Sequence, residues 1–189
     1  MTRIIAGEAR GRTIKVPQTE TRPTSDRARE GLFSSLQVRF GFLDARVLDL
    51  FAGSGALGLE AASRGAVEVH LVESDPEACT IIEHNISVVK PEKAVVHCTK
   101  ASSYLATAPR NYFDMVLADP PYALVDDAVT DMLVALRPTL RDGAAVVVER
   151  HRDSPETDWP EGYTPTGQKL KKRLYGIARM DMATYSKES

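Results

Sequence analysis

Residues 47–62 read VLDLFAGSGALGLEAA: a short apolar run, a glycine turn and a helix-forming segment in immediate succession. Val47-Leu48-Asp49-Leu50-Phe51 has the length and composition of a strand buried on both faces of a parallel sheet. Gly53 and Gly55, with Ser54 between them, can take positive φ and let another molecule approach the backbone, and Ala56 to Ser63 returns to good helix formers. Strand, glycine loop and helix start in this order put free amides and a positive dipole end at the carboxyl edge of an open α/β sheet, where such folds bind ligands. A cofactor cradle lined by Phe51, Ala52, Gly53, Ser54 and Gly55 is the expectation.

The type of cradle is less constrained. Gly53-x-Gly55-x-x-Gly58 matches the dinucleotide fingerprint, and Glu73 stands 20 residues past Gly53 at the end of the next strand-like run, Val67 to Glu73. A nicotinamide-dependent oxidoreductase therefore competes at this point. Two features weigh against it. Asp49 lies inside the apolar strand, where a carboxylate needs loop amides or an amine-bearing ligand as partner. Asp119-Pro120-Pro121-Tyr122 follows the apolar run Met115 to Ala118, and successive prolines there impose a stiff extended turn at a strand end. Nicotinamide chemistry has no use for such a tetrad.

The tetrad and the glycine loop, together with Arg22-Pro-Thr-Ser-Asp-Arg-Ala-Arg-Glu-Gly-Leu-Phe33 and Lys172-Arg-Leu-Tyr-Gly176, resemble the RsmD family of bacterial 16S rRNA guanine-N2 methyltransferases. These belong to the class I S-adenosylmethionine-dependent enzymes, and the resemblance covers nearly the whole chain. It implies a Rossmann-like, mostly parallel α/β sheet with an antiparallel C-terminal hairpin and a short N-terminal β-hairpin and helix extension. It implies S-adenosyl-L-methionine as cofactor, held by Asp49, Phe51, Ala52, Gly53, Ser54, Gly55, Glu73, Ser74, Ala101 and Asp119, with Glu73 on the ribose hydroxyls. It implies catalysis by Asp119, Pro120, Pro121 and Tyr122 on an amine of 16S rRNA, within a small-subunit assembly particle. The family has an acid or amide before the alanine at position 101, but Lys100 stands here, so the adenine contact falls to a backbone amide or to Ser102.

At 189 residues the chain is expected to form one methyltransferase domain, residues 24–189, preceded by a basic hairpin extension, residues 1–23. No apolar run approaches the roughly 20 residues of a membrane span, and the start lacks a signal-peptide core, so a cytoplasmic location is expected. The formal charge of −2 is unevenly spread: residues 1–30 and 169–179 carry net +8, leaving −10 on the remaining 148. Segregation of this kind suits a face that meets a polyanion, with Arg3, Arg10, Arg12, Arg22, Lys171, Lys172 and Arg173 as candidate RNA contacts; the plain alternative is solvated surface charge. Arg29 and Glu30 suit either a local surface ion pair or a part in shaping the site.

Elsewhere, residues 2–17 read as a hairpin, and Thr24 or Ser25 caps a helix ending before Gly41. Asp75-Pro76 opens a helix in which His84-Asn85 is structural, and residues 154–167 form a loop whose Trp159 covers core. Residues 168–174 and 177–185 read as the two arms of the closing hairpin. Cys79 and Cys98 are too far apart for a CxxC pair and too few for a disulfide framework, and are expected as small buried apolar residues. No metal-ligand spacing occurs, and no metal is expected. A DNA amino-methyltransferase, which would use the same tetrad, remains open, as does an RNA-binding module without catalysis.

Overall fold

In the computed structural model, which describes residues 1–18 and 24–188, the chain forms a mixed α/β fold. β1 (Thr2–Arg3) and β2 (Thr13–Ile14) make a small antiparallel pair, followed by α1 (Asp26–Arg39). The doubly covered unit then runs β3 (Arg46–Leu50), α2 (Ala56–Ser63), β4 (Glu68–Glu73), α3 (Pro76–Val89), β5 (Ala94–Cys98), α4 (Ala101–Thr107), β6 (Phe113–Ala118), α5 (Asp126–Leu136) and β7 (Leu140–His151). It closes with β8 (Tyr163–Pro165), α6 (Leu170–Arg173), β9 (Leu174–Tyr175) and β10 (Ala178–Tyr185).

The strand order is β5-β4-β3-β6-β7-β10-β8, parallel from β5 to β7, with β10 antiparallel to β7 and to β8. The chain winds outward from β3 to β5 and then returns to place β6 on the other side of β3. The order reverses between β3 and β6, and the crevice at such a switch point, above the carboxyl ends of the strands, is where ligands bind. The loops leaving β3 and β6 carry the glycine turn and the Asp-Pro-Pro-Tyr tetrad.

Alternate residues of the parallel strands feed two cores. Val47, Val69, Leu71, Met115, Leu117 and Val147 face α1, α2 and α3, whereas Leu48, Leu50, Val72, Val116 and Val148 face α4 and α5. Helices on both faces explain why these strands read as near-continuous apolar runs. Ser25 caps α1, its Oγ accepting from Ala28 N at 3.1 Å, and Asp75 caps α3 ahead of Pro76.

Three expectations need correction. The first arm of the closing hairpin is mostly a helical turn, α6, with only Leu174–Tyr175 pairing with β10; the turn leaves Lys171 and Lys172 exposed while Arg173 points back to Glu156 and Asp181. The loop over 154–167 contains β8, which covers the edge of β10. Cys79 and Cys98 are bridged, their Cα atoms 6.0 Å apart, and Cys98 is exposed. α3 and β5 are adjacent layers, so tertiary packing brings together two cysteines 19 residues apart that were expected only as small buried apolar residues.

Candidate active site

The turn after β3 is held open by backbone that few residues tolerate. Phe51 has φ of 60°, Gly53 of 56° and Gly55 of 80°. A non-glycine residue at positive φ, here an aromatic, is a strained position of the kind that clusters at ligand sites. Phe51 gave no sign of this in the sequence. Gly58, in the first turns of α2, is needed for a different reason: a Cβ there would lie 2.9 Å from Val69 Cγ1 and 3.1 Å from Asp49 Oδ2. That closeness lets Gly58 N donate to Asp49 Oδ2 at 2.8 Å, so the buried Asp49 carboxylate is met by an amide of the first turns of α2.

Glu73 ends β4 beside this turn. Its Oε2 accepts from Gly53 N at 2.8 Å and its Oε1 from Asp75 N at 3.0 Å, so both oxygens are fixed by amides while each keeps a lone pair for a further donor. A ribose diol has that pair of donors. Phe51, Val72, Glu73, Ser74, Ala101, Leu105 and Met132 line a cavity of about 610 Å³ that opens from this carboxylate between α4 and α5. A largely apolar cavity with a fixed carboxylate at one end could hold an adenosyl group. Lys100 and Ser102 border the same cavity, as does Asp131 of α5, an acid that the sequence reading did not single out.

The tetrad sits across the switch point. Ala118 is in register with Leu50, and Asp119 N continues the contact by donating to Leu50 O at 3.3 Å. Asp119 lines a small cavity of about 20 Å³ together with Phe51, Ala52 and Ser54 of the glycine turn and Thr24. Pro120 is buried, Pro121 exposed and Tyr122 half-buried, its hydroxyl donating to Glu149 Oε1 at 3.2 Å and its ring edge-on to His151 at 5.2 Å. Thr24 Oγ1 lies 3.1 Å from Glu149 Oε2 and 3.5 Å from Asp119 Oδ2. The tetrad therefore lies beside both the glycine turn and the end of β7.

The family description "Conserved hypothetical protein 95" matches residues 2–183 of the chain. Ribosomal RNA small subunit methyltransferase D of Escherichia coli strain K12 is 40% identical over 152 residues, covering 78% of this chain and 73% of that protein. Its namesake in Haemophilus influenzae is 36% identical over 182 residues, covering 93% and 89%. This chain belongs to the ribosomal RNA small subunit methyltransferase D family. A putative methyltransferase from Escherichia coli, yhhF, superposes with a TM-score of 0.83 at 31% identity over 97% of both chains.

In this member of the methyltransferase D family the basic residues divide into two groups. Arg10, Lys171 and Lys172 are exposed, and Arg3 is largely so, 3.7 Å from Asp26. Others are engaged by the fold. Arg12 Nη1 donates to Val88 O at 3.1 Å and Val89 O at 2.8 Å, capping the carbonyl end of α3. Arg173 bonds Glu156 at 3.0 Å and Asp181 at 2.5 Å, a pairing that holds its guanidinium above the ordinary arginine pKa, with the Glu156 hydrogen bond as the main cause. Arg179 is buried against Asp181, and Arg29 is fully buried against Asp26 and Arg3 O, not on the surface. Arg22 lies outside the described residues. The positive surface is thus smaller than the charge count suggested, because the buried Asp181 on β10 and Asp26 in the first turn of α1 pair with several of the arginines.

Two positioning residues lie outside the expected site: Asn85, which the sequence reads as structural, and Arg150, which carries no local signal. Asn85, fully buried on α3, accepts from Lys15 N at 2.8 Å and donates to Lys15 O and Ser54 O at 2.8 Å each, tying the N-terminal hairpin to the glycine turn. Arg150, on β7, donates to Leu124 O at 3.2 Å and Asp126 Oδ1 at 2.8 Å and so holds the segment leaving the tetrad.

Among the described residues no helix is long and apolar enough to cross a membrane, and no cluster of three or more His, Cys, Asp or Glu could hold a metal.

Proposed function

We propose that this chain methylates the exocyclic N2 amine of a guanine in 16S ribosomal RNA, using S-adenosyl-L-methionine. The observation that carries the reading is the position of Asp119: at the carboxyl end of β6, on one wall of a cavity whose other wall is the glycine turn. The names of the relatives, which are ribosomal RNA small subunit methyltransferases, support the RNA substrate.

The cofactor, when bound, supplies a sulfonium-activated methyl group. The protein's part is to prepare the acceptor. An exocyclic amine on a purine is a poor nucleophile because its lone pair is delocalised into the ring. The Asp119 carboxylate and the Pro120 carbonyl offer two adjacent acceptors for the two amine protons, which pulls the nitrogen toward tetrahedral geometry and localises the lone pair. Tyr122 would stack on the base and fix its plane. Positioning and electrostatics supply the rate, with no covalent enzyme intermediate. The base must be unstacked to enter, and Arg3, Arg10, Lys171 and Lys172, with Arg22, would hold the surrounding phosphates within a small-subunit particle.

Incubation with radiolabelled S-adenosylmethionine and immature small-subunit particles from cells lacking the gene should label one guanine of 16S rRNA. No label on a guanine would overturn the reading, and equal labelling of duplex DNA would redirect it to a DNA substrate. Fluorescence titration should show binding of S-adenosylhomocysteine and not of NADH, which separates this reading from the nicotinamide alternative.

A further inference from the structure

Glu149 is a buried carboxylate that the tetrad mechanism does not use. It is 4% exposed, near the carboxyl end of β7, and follows Val148, which is in register with Ala118; it therefore stands level with Asp119 on the adjacent parallel strand. Thr24 Oγ1 spans the two acids, 3.1 Å from Glu149 and 3.5 Å from Asp119, and Tyr122 donates to the other Glu149 oxygen at 3.2 Å. Glu149 also lines a groove of about 790 Å³ whose walls include Arg27, Lys171, Lys172 and Tyr175. The same side chain thus touches the tetrad and the basic groove through which RNA would arrive.

A guanine presents three protons in a row along one edge, two on N2 and one on N1. Asp119 and the Pro120 carbonyl account for the N2 pair. The N1 proton then needs an acceptor on the side facing away from the cofactor, where β7 adjoins β6. We propose that Glu149 accepts the N1–H of the target base and is the residue that selects guanine; the proposal rests on the reading above that guanine N2 is the methylated amine. Adenine at N1 and cytosine at N3 carry a lone pair beside their amine and no proton, so either would set an acceptor against the carboxylate. Buried sites built for a donor reject analogues that lack it far more strongly than apolar pockets reject a missing methylene. Arg27, Lys171 and Lys172 in the same groove are placed for the flanking phosphates, which leaves base choice to the acid.

The test uses small-subunit particles assembled on 16S rRNA in which the target nucleotide is either guanine or 2-aminopurine. 2-Aminopurine keeps the N2 amine but has a lone pair at N1. The wild-type protein should methylate guanine with kcat/KM at least about 100-fold above 2-aminopurine. Glu149→Gln, whose amide can donate to N1, should lower that ratio by at least about 10-fold, partly by gaining activity on 2-aminopurine, with S-adenosylhomocysteine affinity unchanged. A purely structural role for Glu149 would lower both rates together and leave the ratio alone; that result overturns the proposal. Should the variant fail to fold, the wild-type ratio still decides, because equal rates on the two bases overturn it. Methylation of neither base sinks the guanine-N2 reading itself, whereas methylation of guanine with an unmoved ratio sinks only the role of Glu149.

Discussion

Replacing Glu60 by alanine should loosen the N-terminal hairpin where it meets α2 and cost about 3–5 kcal/mol of stability. Glu60 is fully buried on α2 and accepts from Ile5 N at 2.8 Å and Ala6 N at 3.0 Å, while Arg64 Nε pairs with it at 3.0 Å. Each half-buried amide left without an acceptor costs about 1 kcal/mol, at the low end for orphaned donors. Arg64, whose side chain is 10% exposed, can reach little water and adds about 1–3 kcal/mol once its carboxylate is gone. Alanine's better helix propensity returns only a few tenths of about 1 kcal/mol, too little to change the sign. Urea unfolding should show a lower midpoint at unchanged slope, and hydrogen exchange should accelerate at the Ile5 and Ala6 amides more than at the amides of β3. A stability loss under about 1 kcal/mol, or undiminished protection at those two amides, would refute the claim that this carboxylate pins the hairpin.

Asp119→Ala should lower methyl transfer at least about 100-fold in kcat while leaving S-adenosylhomocysteine affinity nearly intact, since Glu73 and the glycine turn remain; a variant with residual activity near wild type contradicts the tetrad chemistry. For Glu68, burial raises the pKa, but hydrogen bonds from His70, Tyr112 and Lys93 outweigh it and hold the carboxyl at about 2, below its ordinary 4.5. A depressed folded-state pKa gives stabilisation present above the unfolded pKa and lost as pH falls from about 4.5 toward 2, so Glu68→Gln should flatten acid unfolding in that window by on the order of 3 kcal/mol, read from urea midpoints at each pH. Tyr104 is buried, its pKa pushed up to about 12 chiefly by that burial, and its hydroxyl makes no hydrogen bond among the described residues. Tyr104→Phe should therefore stabilise by about 0.5–1 kcal/mol, and a lower melting temperature would count against the hydroxyl being unpaired.

The parallel sheet and the glycine turn were legible because their signals are local. VLDLFAGSGALGLEAA combines an apolar strand, glycines and a helix start within one short segment, and the prolines of the tetrad restrict their own backbone, so linear order suffices to place them at strand ends. The closing hairpin was misread because α6 and a true strand arm are compositionally alike over four residues. The basic ends were read as one surface because charge counts carry no direction; Arg29, Arg173 and Arg179 turn inward only because Asp26, Glu156 and Asp181 reach them through the fold.

The order of residues alone determined the fold class, the glycine turn, the Glu73 placement and the tetrad, since each depends on neighbours within a few positions. Only the tertiary structure decided which distant groups meet: Glu149 with Tyr122 and Thr24, Asn85 with Ser54, Glu60 with Ile5, and Cys79 with Cys98. Those pairings join residues 19 to 125 positions apart, brought together when the sheet reverses its order between β3 and β6 and the helices pack on its two faces. A buried polar group must find its partner wherever packing delivers one, and no local pattern in the chain records where that is.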